Sequence, residues 1–292
     1  MEGYFWRFTD VRSGRVVVAL CGVNKHPDGD WATVALAVEP GGFVRSAAVD
    51  GAWAAEDRFT VRAGQAFDFN DATGRLRVVL DDCALDVTID NGFDWPLRLG
   101  GGGLFSAVPC LNQYWTPHLL GGRVAGQVTV GGETFSLDGA AVYAEKNWGR
   151  GFPRSWWWGQ AQGFERADVC VVFTGGVLEM GPASKTVGGV VVRIGTQVLR
   201  WTPPFSVVRS SAADGTWRVK AKGLPGKVEI EGDGMGKTPH VLPVPLPSER
   251  RNIDTDFEHL AGRLSVRVES RGRLLFKGAS ELAGLEVGSR PS

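Results

Sequence analysis

The stretch Tyr143-Ala-Glu-Lys-Asn-Trp-Gly-Arg-Gly-Phe-Pro-Arg-Ser-Trp-Trp-Trp-Gly-Gln160 gathers a carboxylate, an ammonium, an amide and four indoles within eighteen residues. Gly149, Gly151 and Phe152-Pro153 punctuate it, so it reads as an extended run, a turn and a second extended run. In an extended 141–148, alternation puts Tyr143, Glu145 and Asn147 on one face and Lys146 and Trp148 on the other. In a following strand over 155–172, Trp156, Trp158 and Gln160 share a face and Trp157 points away. Three consecutive tryptophans cannot all enter one core, so one set is expected to line a pocket and the other to pack.

Working outward, 41 glycines and 15 prolines divide short Val-rich runs. Strands are expected at 16–21, 31–38, 75–80, 83–89, 126–130, 167–173, 189–194, 216–221, 227–231 and 264–269. No long window has helical periodicity; 254–263 is the best short helical candidate, with Asp254 or Thr255 as its cap. Many short strands separated by turn signals imply an all-β barrel or sandwich. The Gly- and Pro-rich 91–117 stretch marks a boundary between an N-terminal domain, 1–112, and a C-terminal domain, 113–292. Pro239, Pro243, Pro245 and Pro247 make 232–252 read as a long surface loop or lid.

Composition narrows the function classes. Lys plus Arg and Asp plus Glu are 32 each, which leaves no electrostatic footprint for nucleic acid or an anionic surface. Cys21, Cys83, Cys110 and Cys170 are far apart and flanked by apolar residues, so buried free thiols are expected rather than disulfides or ligands. The opening lacks a basic segment followed by an apolar one, and no run of eighteen apolar residues occurs, so the expectation is a cytoplasmic protein without a secretory signal. No histidine pair has metal-ligand spacing, and no metal is expected. There is no P-loop or nucleophile elbow, and Gly100–Gly103 follows no clear strand, so no dinucleotide fingerprint is present.

A second acidic-aromatic stretch opens the chain. In Met1-Glu-Gly-Tyr-Phe-Trp-Arg-Phe8, Glu2, Tyr4, Trp6 and Phe8 alternate onto one face. A carboxyl lining an apolar barrel would be held protonated and could donate a proton; one that meets Lys146 or an arginine would be ionised and structural. Both readings stay open for Glu145 and Glu2. His118, after Tyr114-Trp-Thr-Pro117, is a further acid–base candidate.

Glu145-Lys-Asn-Trp-Gly149, Phe152-Pro153, Trp156-Trp-Trp158 and Gln160 closely resemble the signature of the tocopherol cyclase family. Glu2-Gly-Tyr-Phe-Trp-Arg7 resembles that family's opening, although Tyr4 and Trp6 stand where it tends to carry Trp and Tyr. Trp115–Gly126 and Ala279–Gly288 resemble two further segments, so the resemblance runs from residue 2 to about 288. It implies two lipocalin-like antiparallel barrel or half-barrel domains, a fold shared with carotenoid 1,2-hydratases and natural-product cyclases. It also implies closure of a chroman ring on a prenylated hydroquinone: an acid protonates the alkene and the neighbouring phenol oxygen captures the cation, with no cofactor. The implied acid is Glu145 or Glu2, with Tyr143 or Asn147 orienting the phenol. Trp148, Trp156, Trp158, Gln160, Tyr4, Trp6, His118 and Phe152 would contact a lipophilic small molecule, and Lys146 would pair structurally. Such a substrate partitions into lipid, which makes peripheral membrane contact compatible with the reading. The rivals are a hydratase, in which water captures the cation, another natural-product cyclase, and a carrier, which needs apolar lining but no interior acid.

Overall fold

The computed structural model describes residues 1–90, 92–109, 111–180 and 183–290. In chain order the strands are β1 (Glu2–Asp10), β2 (Arg15–Asn24), β3 (Trp31–Glu39), β4 (Phe43–Asp50), β5 (Ala52–Ala54), β6 (Val61–Ala63), β7 (Phe67–Asn70), β8 (Arg75–Leu80), β9 (Cys83–Asp90), β10 (Gln113–Leu119), β11 (Arg123–Val130) and β12 (Glu133–Ser136). They continue as β13 (Ala141–Gly149), β14 (Ser155–Ala161), β15 (Val169–Met180), β16 (Ala183–Ile194), β17 (Gln197–Trp201), β18 (Ser206–Ala213), β19 (Thr216–Gly223), β20 (Gly226–Asp233), β21 (His240–Leu246), β22 (Arg251–Ser270) and β23 (Arg273–Ser289). Helical structure among the described residues is confined to the 3-10 turns Gly103–Ala107 and Pro247–Glu249, and no helix there is long and apolar enough to cross a membrane.

The chain makes two compact units that interleave in sequence. Unit 1 takes 1–95, 117–151 and 240–255, and unit 2 takes 96–116, 152–239 and 256–292. A single cut between 112 and 113 therefore does not separate them. Both units follow one plan. In unit 1 the sheet order is β4-β3-β2-β1-β13-β11-β9-β8-β7-β6-β5; in unit 2 it is β17-β16-β15-β14-β23-β22-β20-β19-β18. Each begins with a four-strand meander, and a late strand returns to pair antiparallel with the first: β13 on β1, and β23 on β14.

Alternation supplies one apolar face per sheet. In unit 1, Tyr4, Trp6 and Phe8 of β1 join Val34 and Leu36 of β3 and Val61 and Ala63 of β6 in one buried cluster. A flat sheet would hold β3 and β6 far apart, so the sheet is rolled with this face inward. In unit 2, Trp201 of β17, Trp217 of β19 and Leu285 of β23 share a second cluster in the same way. Trp6 is the centre of the first: its ring lies 4.8 Å from Phe69, 5.2 Å from Phe59 and 5.4 Å from Phe67.

Three expectations change. Residues 254–263 are extended within β22, because pairing with β20 and β23 outweighs a weak local preference for helix. The expected loop 232–252 contains the end of β20, all of β21 and the start of β22; Pro243 and Pro245 are tolerated because β21 pairs with β22 alone, as an edge strand. The expected strand 155–172 is two strands, β14 and β15, separated by 162–168. Cys21, Cys83 and Cys170 are buried free thiols; Cys110 lies outside the described residues.

Trp6→Ala should destabilise the protein by about 3–5 kcal/mol in chemical denaturation, the range for emptying a large aromatic site. The Trp6 Nε1 has no hydrogen-bond partner, so Trp6→Phe should cost well under half of that.

Candidate active site

The second half of the opening motif stands on β14 of unit 2, and it divides as alternation requires. Trp157 joins the unit 2 core. Trp156, Trp158 and Gln160 turn away from that core, yet all three are buried. Their cross-strand partners on β23 are Gly288, Glu286 and Gly284, and β22 adds Asp256 opposite Gly288 and Glu258 opposite Glu286. Two rows result: Trp156, Gly288, Asp256, and beside it Trp158, Glu286, Glu258.

The first row depends on a missing side chain. A Cβ on Gly288 would come within 2.0 Å of Trp156 Cζ2, so the indole lies flat over the glycine, directed towards the strand that carries Asp256. Two contacts fix its orientation. Trp156 Nε1 donates a hydrogen bond to Glu286 Oε1, and the Phe152 ring packs 4.9 Å away. Gln160 Nε2 lies 3.5 Å from Cys170 Sγ.

The electrostatics of these rows are severe. Asp256 is 8% exposed and Glu258 0%. Burial, then the negative charges of Glu286 and Glu258 and a hydrogen bond with Glu286, push the Asp256 carboxyl well above the ordinary carboxylate range. Neighbouring carboxyls disfavour one another's ionisation, and the penalty falls hardest on the buried Asp256. Asp256 Oδ1 has no hydrogen-bond partner. The site thus sets a carboxyl of raised proton affinity beside two buried indoles.

None of these three carboxyls was named from sequence. Their signal was the alternation Asp254-Thr-Asp-Phe-Glu258, which puts Asp256 and Glu258 on one strand face; reading 254–263 as helix hides it.

Unit 1 holds the remaining candidates and splits them between two faces. Glu2 stands cross-strand from Trp148, and Glu145 from Phe5, so Glu2 shares the core-facing side with Tyr4, Trp6, Lys146 and Trp148, while Tyr143, Glu145 and Asn147 point the other way. The two expected acids do not share a site. Lys146 Nζ is 2.7 Å from Glu2 Oε2 and 4.9 Å from the centre of the Tyr4 ring; Tyr4 Oη donates to the same Glu2 oxygen at 2.8 Å. Burial opposes ionisation of Glu2, but the hydrogen bonds from Lys146 and Tyr4 and the charge of Lys146 outweigh it and hold the carboxyl below its usual value. Glu2 is therefore an ionised, structural group, paired with Lys146. Tyr4 and Trp6 are core packing residues rather than an open lining.

His118 stacks on Phe59, with centroids 3.9 Å apart, and its Nε2 lies 3.1 Å from Asp71 Oδ1. Burial lowers its pKa more than Asp71 raises it, which keeps the imidazole neutral. On the opposite face Tyr143 Oη donates to Glu145 Oε2 at 2.5 Å. Among the described residues no group of His, Cys, Asp and Glu is arranged to hold a metal ion.

These features can be set beside known proteins. The tocopherol cyclase-like family matches residues 31–289. A probable chloroplastic tocopherol cyclase of Oryza sativa subsp. japonica is 27% identical over 200 residues, which cover 65% of this chain and 42% of that protein. The chloroplastic tocopherol cyclase of Zea mays is 27% identical over 207 residues, 66% of this chain and 43% of that one. The chain thus spans less than half the length of these relatives. Among solved structures, kievitone hydratase from Nectria haematococca superposes with a TM-score of 0.58 at 11% identity, covering 99% of this chain and 88% of that one. CghA with Sch210972 gives 0.58 at 13% identity, covering 98% and 88%. At such identities the likeness is one of fold, the all-β lipocalin-like architecture in two parts. With the family match covering most of its length, the chain belongs to the tocopherol cyclase-like family.

Proposed function

We propose that the protein is an acid-catalysed, redox-neutral cyclase of a prenylated aromatic or related isoprenoid alkene, and that Asp256 is its proton donor. One observation carries the assignment: Asp256 is a buried carboxyl whose proton affinity is raised by burial and by Glu286 and Glu258, in a row with an immobilised indole. Family membership supports the reaction class, and the names of the relatives support a prenylated phenol as substrate.

The step balances with the chain's own groups. Asp256 gives its proton to an alkene carbon, and a tertiary carbocation forms. The π-faces of Trp156 and Trp158 stabilise that cation, each by about 0.5–2 kcal/mol. The substrate's own phenol oxygen closes the ring and returns its proton to the Asp256 carboxylate. Glu286 and Glu258 raise the proton affinity of Asp256 before the step; once Asp256 is ionised, their charge favours the adjacent cation. Burial of Trp156, Trp158, Asp256 and Glu258 limits the water that would otherwise capture it.

Incubating the purified protein with a prenylated hydroquinone should give an isomer of unchanged mass; a product heavier by one water would make it a hydratase instead. Asp256→Asn should lower kcat by roughly 10²–10⁴, the usual worth of a placed general acid, while Glu145→Gln should retain most activity. The reverse outcome assigns the acid to Glu145.

The pH dependence has a definite sign. Activity should persist while Asp256 is protonated and fall as pH rises through its elevated pKa. Glu286→Gln removes a like charge, lowers the Asp256 pKa and should move that limb to lower pH. In stability, a raised folded pKa is a contribution full below the unfolded value and lost on alkalinisation. Asp256→Asn should therefore gain stability relative to wild type as pH rises, read by denaturant titration across the pH range.

A further inference from the structure

Whole-chain charge balance hides a one-sided face on unit 2. Where β18, β19, β20, β22 and β23 turn away from the core, cross-strand register sets out two rows. One runs Val207, Lys222, Lys227, Glu269, Leu274, and the next Arg209, Lys220, Glu229, Arg267, Lys277. All six cations are exposed. The two anions are already engaged, Glu229 by Lys220 and Glu269 by Arg267. Among the described residues Arg209, Lys222, Lys227 and Lys277 form no ion pair, and neither do Arg271 and Arg273 at the β22–β23 turn.

This arrangement works against the sheet that carries it. Arg209 stands opposite Lys220, Lys222 opposite Lys227, and Arg267 opposite Lys277, and like charges directly opposed weaken strand pairing. Unit 1 does the reverse: Arg62 stands opposite Asp68, and Arg77 opposite both Asp68 and Asp86. Beside the first row lie exposed apolar side chains. Phe205, Val207, Leu224 and Leu274 are 60%, 64%, 87% and 52% exposed. They belong to neighbouring turns and strand ends. A Cβ on Gly223 would lie 2.6 Å from Phe205 O, and one on Gly226 would lie 2.8 Å from Ser270 Cα, so the turns at 202–205, 224–225 and 271–272 adjoin. Apolar tips rimmed by one sign of charge mark an interaction surface.

We propose that this face of unit 2 docks on an anionic lipid surface, with Phe205, Leu224 and Leu274 entering the headgroup layer and the unpaired lysines and arginines meeting lipid phosphates. The charge is complementary, and the anions relieve the like-charge pairs of the free sheet. Apolar side chains standing on separate turn tips suit a layer they can enter. A nucleic acid would leave Leu224 and Leu274 without the stacking that aromatic side chains give bases. A twofold contact with a second copy would set the same cations against one another. The proposal does not rest on the acid assigned to Asp256, and its test uses no substrate, so either can fail without the other.

Sedimentation of the purified chain with vesicles tests it, using phosphatidylcholine alone and an equal mixture of phosphatidylcholine and phosphatidylglycerol. The chain should sediment with the mixed vesicles and not with the neutral ones, and added salt should release it. Lys222→Glu should weaken binding by roughly fivefold or more, the worth of one cation near such a surface. The same variant turns a like-charge pair into an opposite one, so it should resist urea at least as well as wild type. Phe205→Ser combined with Leu224→Ser should weaken vesicle binding by roughly tenfold or more and leave retention on heparin unchanged. Equal binding to both vesicles, binding to neither, or full binding by either variant overturns the proposal. Retention on heparin without vesicle binding also overturns it, and gives the face to a soluble polyanion instead.

Discussion

Burial of carboxyls on a β-sheet face is the constraint on which the site depends. Asp256, Glu258 and Glu286 project from adjacent strands within two cross-strand rows. The sheet sets Glu258 and Glu286 directly opposite one another, about 5 Å apart, with Asp256 on the diagonal from Glu286 at about 7–8 Å, and the side chains cannot retreat far without breaking the ladder. In water three carboxylates at that spacing would coexist; for the buried Asp256 the neighbouring charges and the loss of water both favour keeping a proton. Strand pairing thus sets the proton affinity of the acid. The indole of Trp156, laid over Gly288 and tethered to Glu286, is part of the same arrangement, since the group that orients the ring also raises the proton affinity of the acid.

The two units repeat one construction. In each, a late strand returns to the first strand of the meander, and a carboxylate on the returning strand faces away from the core: Glu145 opposite Phe5 in unit 1, Glu286 opposite Trp158 in unit 2. Their surroundings then diverge. Glu145 is met by a tyrosine hydroxyl, whereas Glu286 is met by an indole N–H and a neighbouring acid. The same strand position therefore meets a tyrosine hydroxyl in one unit and an indole with a second carboxyl in the other.

Much of the fold is legible in the residues. Alternation in β1, β13 and β14 sorts every aromatic to the face it occupies, and the Val-rich runs mark most of the long strands. Strands such as β4 and β18 carry no apolar run, because one of their faces is solvated, and they leave no local signal. The interleaving of the units is also illegible, since it arises from strand returns more than a hundred residues long. The site is half legible. The Trp156–Trp158 pair follows from alternation alone. Asp256 and Glu286 are thirty residues apart in sequence and meet only through the register of β22 on β23, so local reading points to Glu145 or Glu2, and Lys146 ionises the latter. A glutamate among aromatics draws attention; its counter-ion, a cross-strand lysine, is visible only once β1 is paired with β13.

The central claim is that Asp256 carries a proton in the folded protein at neutral pH. Infrared difference spectroscopy of wild type against Asp256→Asn measures it directly. The account predicts a protonated carboxylic C=O stretch in wild type at neutral pH that is absent from the variant and fades as the pH is raised. A difference spectrum at neutral pH containing only ionised carboxylate bands would contradict it.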